Sequence, residues 1–187
     1  MRILLIDNYD SFTWNLHHLL AQHAEVAVAR NDAITVTEAA AFDRVVVSPG
    51  PGLPNEAGIT MEVIRALLPT HPLMGVCLGM QALVEACGGS LYNQGQVRHG
   101  VAVPCIAEDP LDPLFAGLPS PFDAALYHSW AADRDVLPSE LSITAKSTDG
   151  VIMAVRHKYH PACGVQFHPE SILTPHGARI ISNWLAS

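Results

Sequence analysis

The sequence predicts a doubly wound α/β fold. Short apolar runs rich in Val, Ile and Leu alternate with stretches of helical periodicity, and turn residues separate them. Apolar runs of this length suit strands buried on both faces, as in a parallel sheet covered by helices. The runs are residues 2–6, 25–29, 44–48, 73–77 and 164–167.

In chain order, residues 2–6 form the first strand. Residues 11–23 follow as a helix, with Phe12, Leu16, Leu19 and Leu20 at helical spacing and Asp10 or Ser11 placed to cap it. After the strands at 25–29 and 44–48, a helix over 60–68 is stopped by Pro69. The strand at 73–77 runs into a helix over 78–87 that Gly88-Gly89 ends. Residues 90–156 are richer in Pro and in short β-like runs (101–106, 141–146, 151–155), which read as hairpins or edge strands added to the main sheet. The strand at 164–167 precedes a closing amphipathic helix over 179–185. No repeat, low-complexity tract or linker divides the chain, so residues 1–187 are expected to form one domain.

Composition narrows the function. Hydrophobic residues make up 49% and charged residues 15%, a globular balance. The net charge of −8, without a Lys/Arg run, disfavours nucleic acid and anionic membrane surfaces as partners. No apolar run approaches the ~20 residues that span a bilayer, and residues 1–6 lack the character of a signal peptide. A cytoplasmic location is therefore expected, with Cys77, Cys87, Cys105 and Cys163 as free thiols. Neither Cys nor His falls at metal-ligand spacing, so no metal or other cofactor is expected.

The chemistry concentrates in a few segments. Gly75-Val76-Cys77-Leu78-Gly79 has the spacing of a nucleophile elbow at a strand-to-helix junction. Such a turn lifts the thiol to a helix N-terminus, where the dipole favours thiolate and the Leu78 N–H is free for an oxyanion. Taken alone, so short a motif fits a buried cysteine in a turn equally well. His168-Pro169-Glu170 follows the last strand, and in an extended segment His168 and Glu170 project together, so the carboxylate can orient the imidazole. Ser48-Pro49-Gly50-Pro51-Gly52 follows a central strand with glycines that let backbone amides approach a ligand. Tyr127-His128-Ser129-Trp130 ends a strand and offers backbone and hydroxyl groups to an amino-acid ligand.

These segments, with Asp7-Asn8-Tyr9-Asp10-Ser11-Phe12-Thr13, Asn55-Glu56-Ala57-Gly58, Gln81-Ala82, His99-Gly100 and Gly164-Val165-Gln166-Phe167-His168-Pro169-Glu170-Ser171, form a combined pattern. By that pattern the chain resembles class I glutamine amidotransferases, and within them the glutaminase subunits of anthranilate synthase and aminodeoxychorismate synthase. The resemblance implies a flavodoxin-like three-layer α/β/α sandwich, its mostly parallel sheet extended by antiparallel strands. It implies a triad of Cys77, His168 and Glu170, and glutamine contacts from Gly50, Pro51, Gly52, Gln81, Ser129 and Trp130. The oxyanion amides would be those of Leu78 and Gly52. Asn8, Tyr9, Asp10 and Ser11 would lie near a chorismate-using synthase partner, to which ammonia from L-glutamine is delivered. Anthranilate synthase is the first reading of that partner and aminodeoxychorismate synthase the alternative; a stand-alone cysteine hydrolase is a third reading. Met80 stands where the family commonly has His, and Trp130 where Leu is frequent. Met80 is expected to alter packing or the coupling to a partner.

Overall fold

The computed structural model describes residues 1–109 and 111–187. Its elements are β1 (Arg2–Asp7), α1 (Thr13–Ala21), β2 (Glu25–Arg30), α2 (Val36–Ala39), β3 (Arg44–Val47), α3 (Thr60–Leu67), β4 (Leu73–Val76), α4 (Leu78–Ala86), β5 (Leu91–Ala107), β6 (Phe122–Ala132), β7 (Leu141–Ser147), β8 (Ile152–His157), β9 (Ala162–Val165) and α5 (Gly177–Ala186). The strands make one nine-stranded sheet in the order β2-β1-β3-β4-β9-β8-β7-β5-β6. From β2 to β9 neighbours pair in parallel, and from β9 to β6 they pair antiparallel. The α/β reading of the sequence therefore holds, with the antiparallel strands added on one side of the parallel block.

Helices cover both faces of the parallel block. Alternation along β1 sends Ile3 and Leu5 to one face, where they meet Leu16 and Leu20 of α1 and Ile180, Ile181 and Trp184 of α5. Leu4 and Ile6 face the other way, toward Val63, Ile64 and Leu67 of α3 and Met80, Leu83 and Val84 of α4. Each fully buried aliphatic side chain of this kind contributes about 1.5–3 kcal/mol relative to exposure.

Two sequence expectations need correction. The last parallel strand is Ala162–Val165, not 164–167. After Val165 the chain leaves the ladder with β4: the Gln166 N–H donates to Met153 O at 2.8 Å and the His168 N–H to Ala125 O at 3.0 Å. Consequently His168 and Glu170 meet across a turn, closed by Ser171 N–H to His168 O at 3.2 Å, and not along an extended strand. The first helix begins at Thr13, and Phe12, expected on its core face, is its half-buried N-cap residue. The start is set by carboxylates that compete for the preceding amides: Asp10 Oδ1 accepts from Phe12 N–H at 2.7 Å, and Asp7 Oδ1 accepts from Tyr9 N–H at 2.9 Å and from the Thr13 hydroxyl at 2.9 Å.

The turn after β9 is clamped from below. A Cβ at Gly177, the first residue of α5, would lie 1.7 Å from Pro169 O, so only glycine lets the helix start under this turn. Thr174 adds a second tie, its hydroxyl donating to His168 O at 2.7 Å and accepting from Ala125 N–H at 2.9 Å. Gly177→Ala is expected to destabilise the fold by about 3 kcal/mol, a fall in Tm of about 6–12 °C in differential scanning calorimetry. Ala178→Ser, at the exposed next position, is expected to stay within about 0.5 kcal/mol of the parent.

Candidate functional site

The site forms at the carboxyl ends of β1, β3, β4 and β9, where open α/β sheets bind ligands. Cys77 sits between β4 and α4 at φ 52°, ψ −103°, a left-handed backbone that side chains rarely adopt. The flanking glycines make room for it. A Cβ at Gly75 would lie 2.3 Å from Gly79 C and O, and one at Gly79 would lie 2.4 Å from Val47 O. The Cys77 N–H donates to Val165 O at 2.7 Å and its carbonyl accepts from Gln81 N–H at 3.0 Å, which fixes the elbow to β9 and to the first turn of α4. Leu78 opens α4, so its N–H has no acceptor within the helix.

His168 and Glu170 form a buried pair, Nδ1 to Oε1 at 2.7 Å. The carboxylate accepts, so the Nδ1–H is the donor and Nε2 is the end available for chemistry. That Nε2 is buried with no hydrogen-bond partner among the described residues. Burial alone would lower the imidazole pKa, but the charge of nearby Cys77 and then Glu170 outweigh it and raise it to about 10. The imidazolium is thus the favoured form of His168.

Cys77 lies on the wall shared by two cavities. One, of about 220 Å³, is lined by Gly50, Pro51, Gly52, Cys77, Gln81, Tyr127, His128, Ser129 and Trp130. It brings together the glutamine contacts expected from the sequence. None of its lining residues is Lys, Arg, Asp or Glu. The other, of about 310 Å³, opens past Tyr9, Asp10, Ser11 and Phe12 and is also lined by His99 and His168. Gly50 holds the wall between them against β1: a Cβ there would lie 2.5 Å from Asn8 Cβ. Gly52 takes φ +73°, and its N–H has no acceptor among the described residues.

Several placements were not legible in the sequence. Asn8, grouped with Tyr9, Asp10 and Ser11 as a surface for a partner, is 2% exposed and acts internally. It donates to Ser48 O and accepts from Asn31 Nδ2, both at 2.9 Å, and from the Thr60 hydroxyl at 2.8 Å. It ties the β1 and β3 loops and offers no surface. Tyr9 is half exposed and donates to Asp32 Oδ2 at 2.7 Å. Met80 is fully buried against Gly164, where a Cβ would meet its Cγ at 2.7 Å, so it packs inside the fold and touches no surface a partner could reach directly. Trp130 contributes its carbonyl, which accepts from Gln81 Nε2 at 2.9 Å. Phe12 and Tyr127 pack on His168 with ring centroids 5.6 and 4.8 Å away, and His99 stands edge-on to Tyr127 at 5.1 Å. The quoted motifs contained these aromatic residues, but nothing in their spacing signalled contact with His168.

The remaining thiols differ from Cys77. Burial, with the Glu140 charge, pushes Cys87 up to about 11; burial, with the Asp123 and Asp149 charges, pushes Cys105 up to about 12; and burial pushes Cys163 up to about 12 against the opposing charge of Arg156. A thiol with a raised pKa stays protonated, and so unreactive, until the pH climbs toward that value. Iodoacetamide at pH 7.5 is expected to modify Cys77 first by peptide mapping, with Cys87 following only under strongly alkaline conditions. Earlier labelling of Cys87, Cys105 or Cys163 would contradict this ordering.

Comparison with known proteins identifies the family. The chain is 44% identical to aminodeoxychorismate synthase component 2 of Escherichia coli, over 98% of each. It is 45% identical to anthranilate synthase component 2 of Mycobacterium tuberculosis, over 99% of this chain and 82% of that one. Longer relatives also match: the chain spans 32% of one that is 43% identical. A solved structure of a Thermoplasma acidophilum protein, assigned to GMP synthase as one of its subunits, superposes with a TM-score of 0.88 over 100% of this chain and 92% of that one; at 23% identity it speaks to the fold alone. Residues 4–187 match the profile of the family described as glutamine amidotransferase class-I, and the chain belongs to that family.

Proposed function

We propose that the chain is a glutaminase subunit that hydrolyses L-glutamine through Cys77, His168 and Glu170 and passes ammonia to a chorismate-using synthase. The observation that carries this reading is the position of Cys77 on the wall common to two cavities. One is small and free of charged lining, below the ~300–1,000 Å³ that holds drug-sized ligands, and suits a single amino acid. The other leads past residues 9–12 toward solvent, where a partner would dock.

In the proposed reaction the Cys77 thiolate attacks the side-chain carbonyl carbon of glutamine. The amides of Leu78 and Gly52 donate to the oxyanion. The Nε2–H of His168 protonates the departing nitrogen as the C–N bond breaks, leaving ammonia and a γ-glutamyl thioester. His168, now neutral, takes a proton from water as the water oxygen attacks the thioester. The C–S bond breaks, glutamate leaves, and the thiolate–imidazolium pair is restored. Glu170 keeps the Nδ1 proton in place throughout.

Anthranilate synthase is the first reading of the partner complex, from the name of the 45%-identical relative. Aminodeoxychorismate synthase is supported by a relative that is 44% identical over 98% of each chain. Reconstitution with the chorismate-binding component of each complex decides between them. With the cognate component, Cys77→Ser is expected to abolish glutamine-dependent product while sparing synthesis from added ammonium salts. Equal loss of both activities would refute the nucleophile, and binding to neither component would refute the partner class.

Docking is expected to raise the activity. The loop of residues 7–13 reaches His168 through Phe12, and Gly52 supplies an oxyanion donor whose loss typically costs ~10²–10³ in rate. The isolated chain is expected to be a weak glutaminase whose kcat rises at least tenfold with partner and chorismate. Ser11→Arg, at an exposed position on the cavity rim, should shrink that rise. Full-rate hydrolysis by the chain alone would instead favour a stand-alone hydrolase.

A further inference from the structure

Gln166 follows β9, is fully buried and lines neither cavity at Cys77. Its carboxamide Nε2 lies 3.5 Å from Cys77 Sγ. The two ends of a carboxamide look alike, so its direction has to follow from its neighbours. The sequence of bonds starts at Trp130 O, a carbonyl that can only accept. His128 Nδ1 donates to it at 2.8 Å and Gln81 Nε2 at 2.9 Å. That places the Gln81 amino group on this side. The same amino group lies 3.2 Å from the Gln166 carboxamide, whose nearer atom is therefore its oxygen. The end left to face sulfur is the NH2. Turning Gln166 over would set amino group against amino group and oxygen against sulfur, losing both bonds.

We propose that Gln166 is a thiolate-stabilising donor, aimed at Cys77 Sγ by Gln81, so that one run of hydrogen bonds joins the nucleophile to the wall of the glutamine cavity. The proposal rests on Cys77 being the nucleophile. Cys77 is only 5% exposed, so water does little to solvate a thiolate there. In such a setting a fixed N–H dipole stabilises the anion more than it would in water. A neutral carboxamide also cannot protonate the sulfur, as an ammonium group would. Gln81 has two roles in this arrangement: it lines the substrate cavity and fixes the direction of the donor behind the sulfur.

The test is the pH dependence of Cys77 alkylation by iodoacetamide in the whole chain, read by peptide mapping, for the parent, Gln166→Met and Gln166→Glu. Gln166→Met keeps the length and removes the donor; Gln166→Glu keeps the shape and sets a carboxylate beside the sulfur. A lost donor disfavours thiolate, so the midpoint of the profile moves up. The expected order of midpoints is parent, then Gln166→Met, then Gln166→Glu. At a pH below the parent's midpoint, Gln166→Met should alkylate about ten- to hundred-fold more slowly, the size of a hydrogen bond to a charged group. A packing role alone would lower Tm and leave the order of midpoints unmoved. If only one variant folds, its midpoint against the parent is the test. Cys77 alkylated first in the parent, with a midpoint unmoved or lowered in a folded variant, overturns the role of Gln166 alone. Another cysteine alkylated first in the parent overturns the nucleophile and this proposal together.

Discussion

The geometry of the site depends on the left-handed backbone at Cys77. A non-glycine residue at φ 52°, ψ −103° costs of order 1–3 kcal/mol, so the surrounding structure has to hold it there. It does so by bringing four pieces of backbone closer than side chains would allow. Gly75 lies against Gly79, Gly79 against β3, and Gly164 of β9 against Met80 of α4. Within the elbow the strain falls on Cys77, and its consequence is to aim the start of α4, with its unpaired amides, at the point where the sulfur emerges.

From that junction the rest of the site follows through β9. The bond from the Cys77 amide to Val165 O sets the end of β9 beside the elbow. The chain then departs toward β8 and β6, so Gln166 arrives behind the sulfur while His168 and Glu170 arrive beyond it. Two constraints from outside the junction finish the arrangement. Gly177 lets α5 begin under Pro169, and Phe12 with Tyr127 closes over the imidazole. The loop after β1 is thereby joined to His168 by ring contact and to the Gly50–Gly52 wall by Asn8. Those two connections would give a partner docked at residues 9–11, as proposed, a physical route to both the proposed base and a proposed oxyanion donor.

What could be read from the sequence was mostly what is local. The apolar runs gave the parallel strands to within a residue or two: β1, β3, β4 and β9 because strands buried on both faces cannot alternate with polar residues, whereas β2, at the sheet edge, is exposed or half-buried throughout. The elbow was legible because the crowding that demands Gly75 and Gly79 acts within five residues. The short helix α2 was passed over although Thr35 and Glu38 form a capping box that has a sequence signature. The long-range facts were not legible. Nothing in residues 7–13 says that Asn8 turns inward while Tyr9 turns outward; that is decided by Ser48, Asn31 and Thr60. The β-bulges that break the pairing of β5 with β6 on either side of Arg98 likewise depend on a partner strand far along the chain. Gln166 was visible only as part of a motif, since its partners are Cys77 and Gln81, far from it in sequence.

The chain carries a net charge of −8, yet the cavity behind Cys77 has no charged side chain in its lining. The groups that line this cavity are neutral dipoles: backbone amides, a carboxamide, hydroxyls and the imidazole of His128, which burial lowers to about 4. The charged pair beside this cavity is His168 with Glu170, the carboxylate on the Nδ1 side of the imidazole. Under the proposed reaction a proton moves between the sulfur side and the imidazole while the surrounding dipoles stay in place. Dipoles already in place stabilise an oxyanion without reorganising when it forms, and a site shielded from water increases their effect. Under the proposed reaction the same lining has a second consequence. The wall behind Cys77 offers no carboxylate counter-ion to an ammonium, whereas the outer cavity, which His168 lines, includes Asp10.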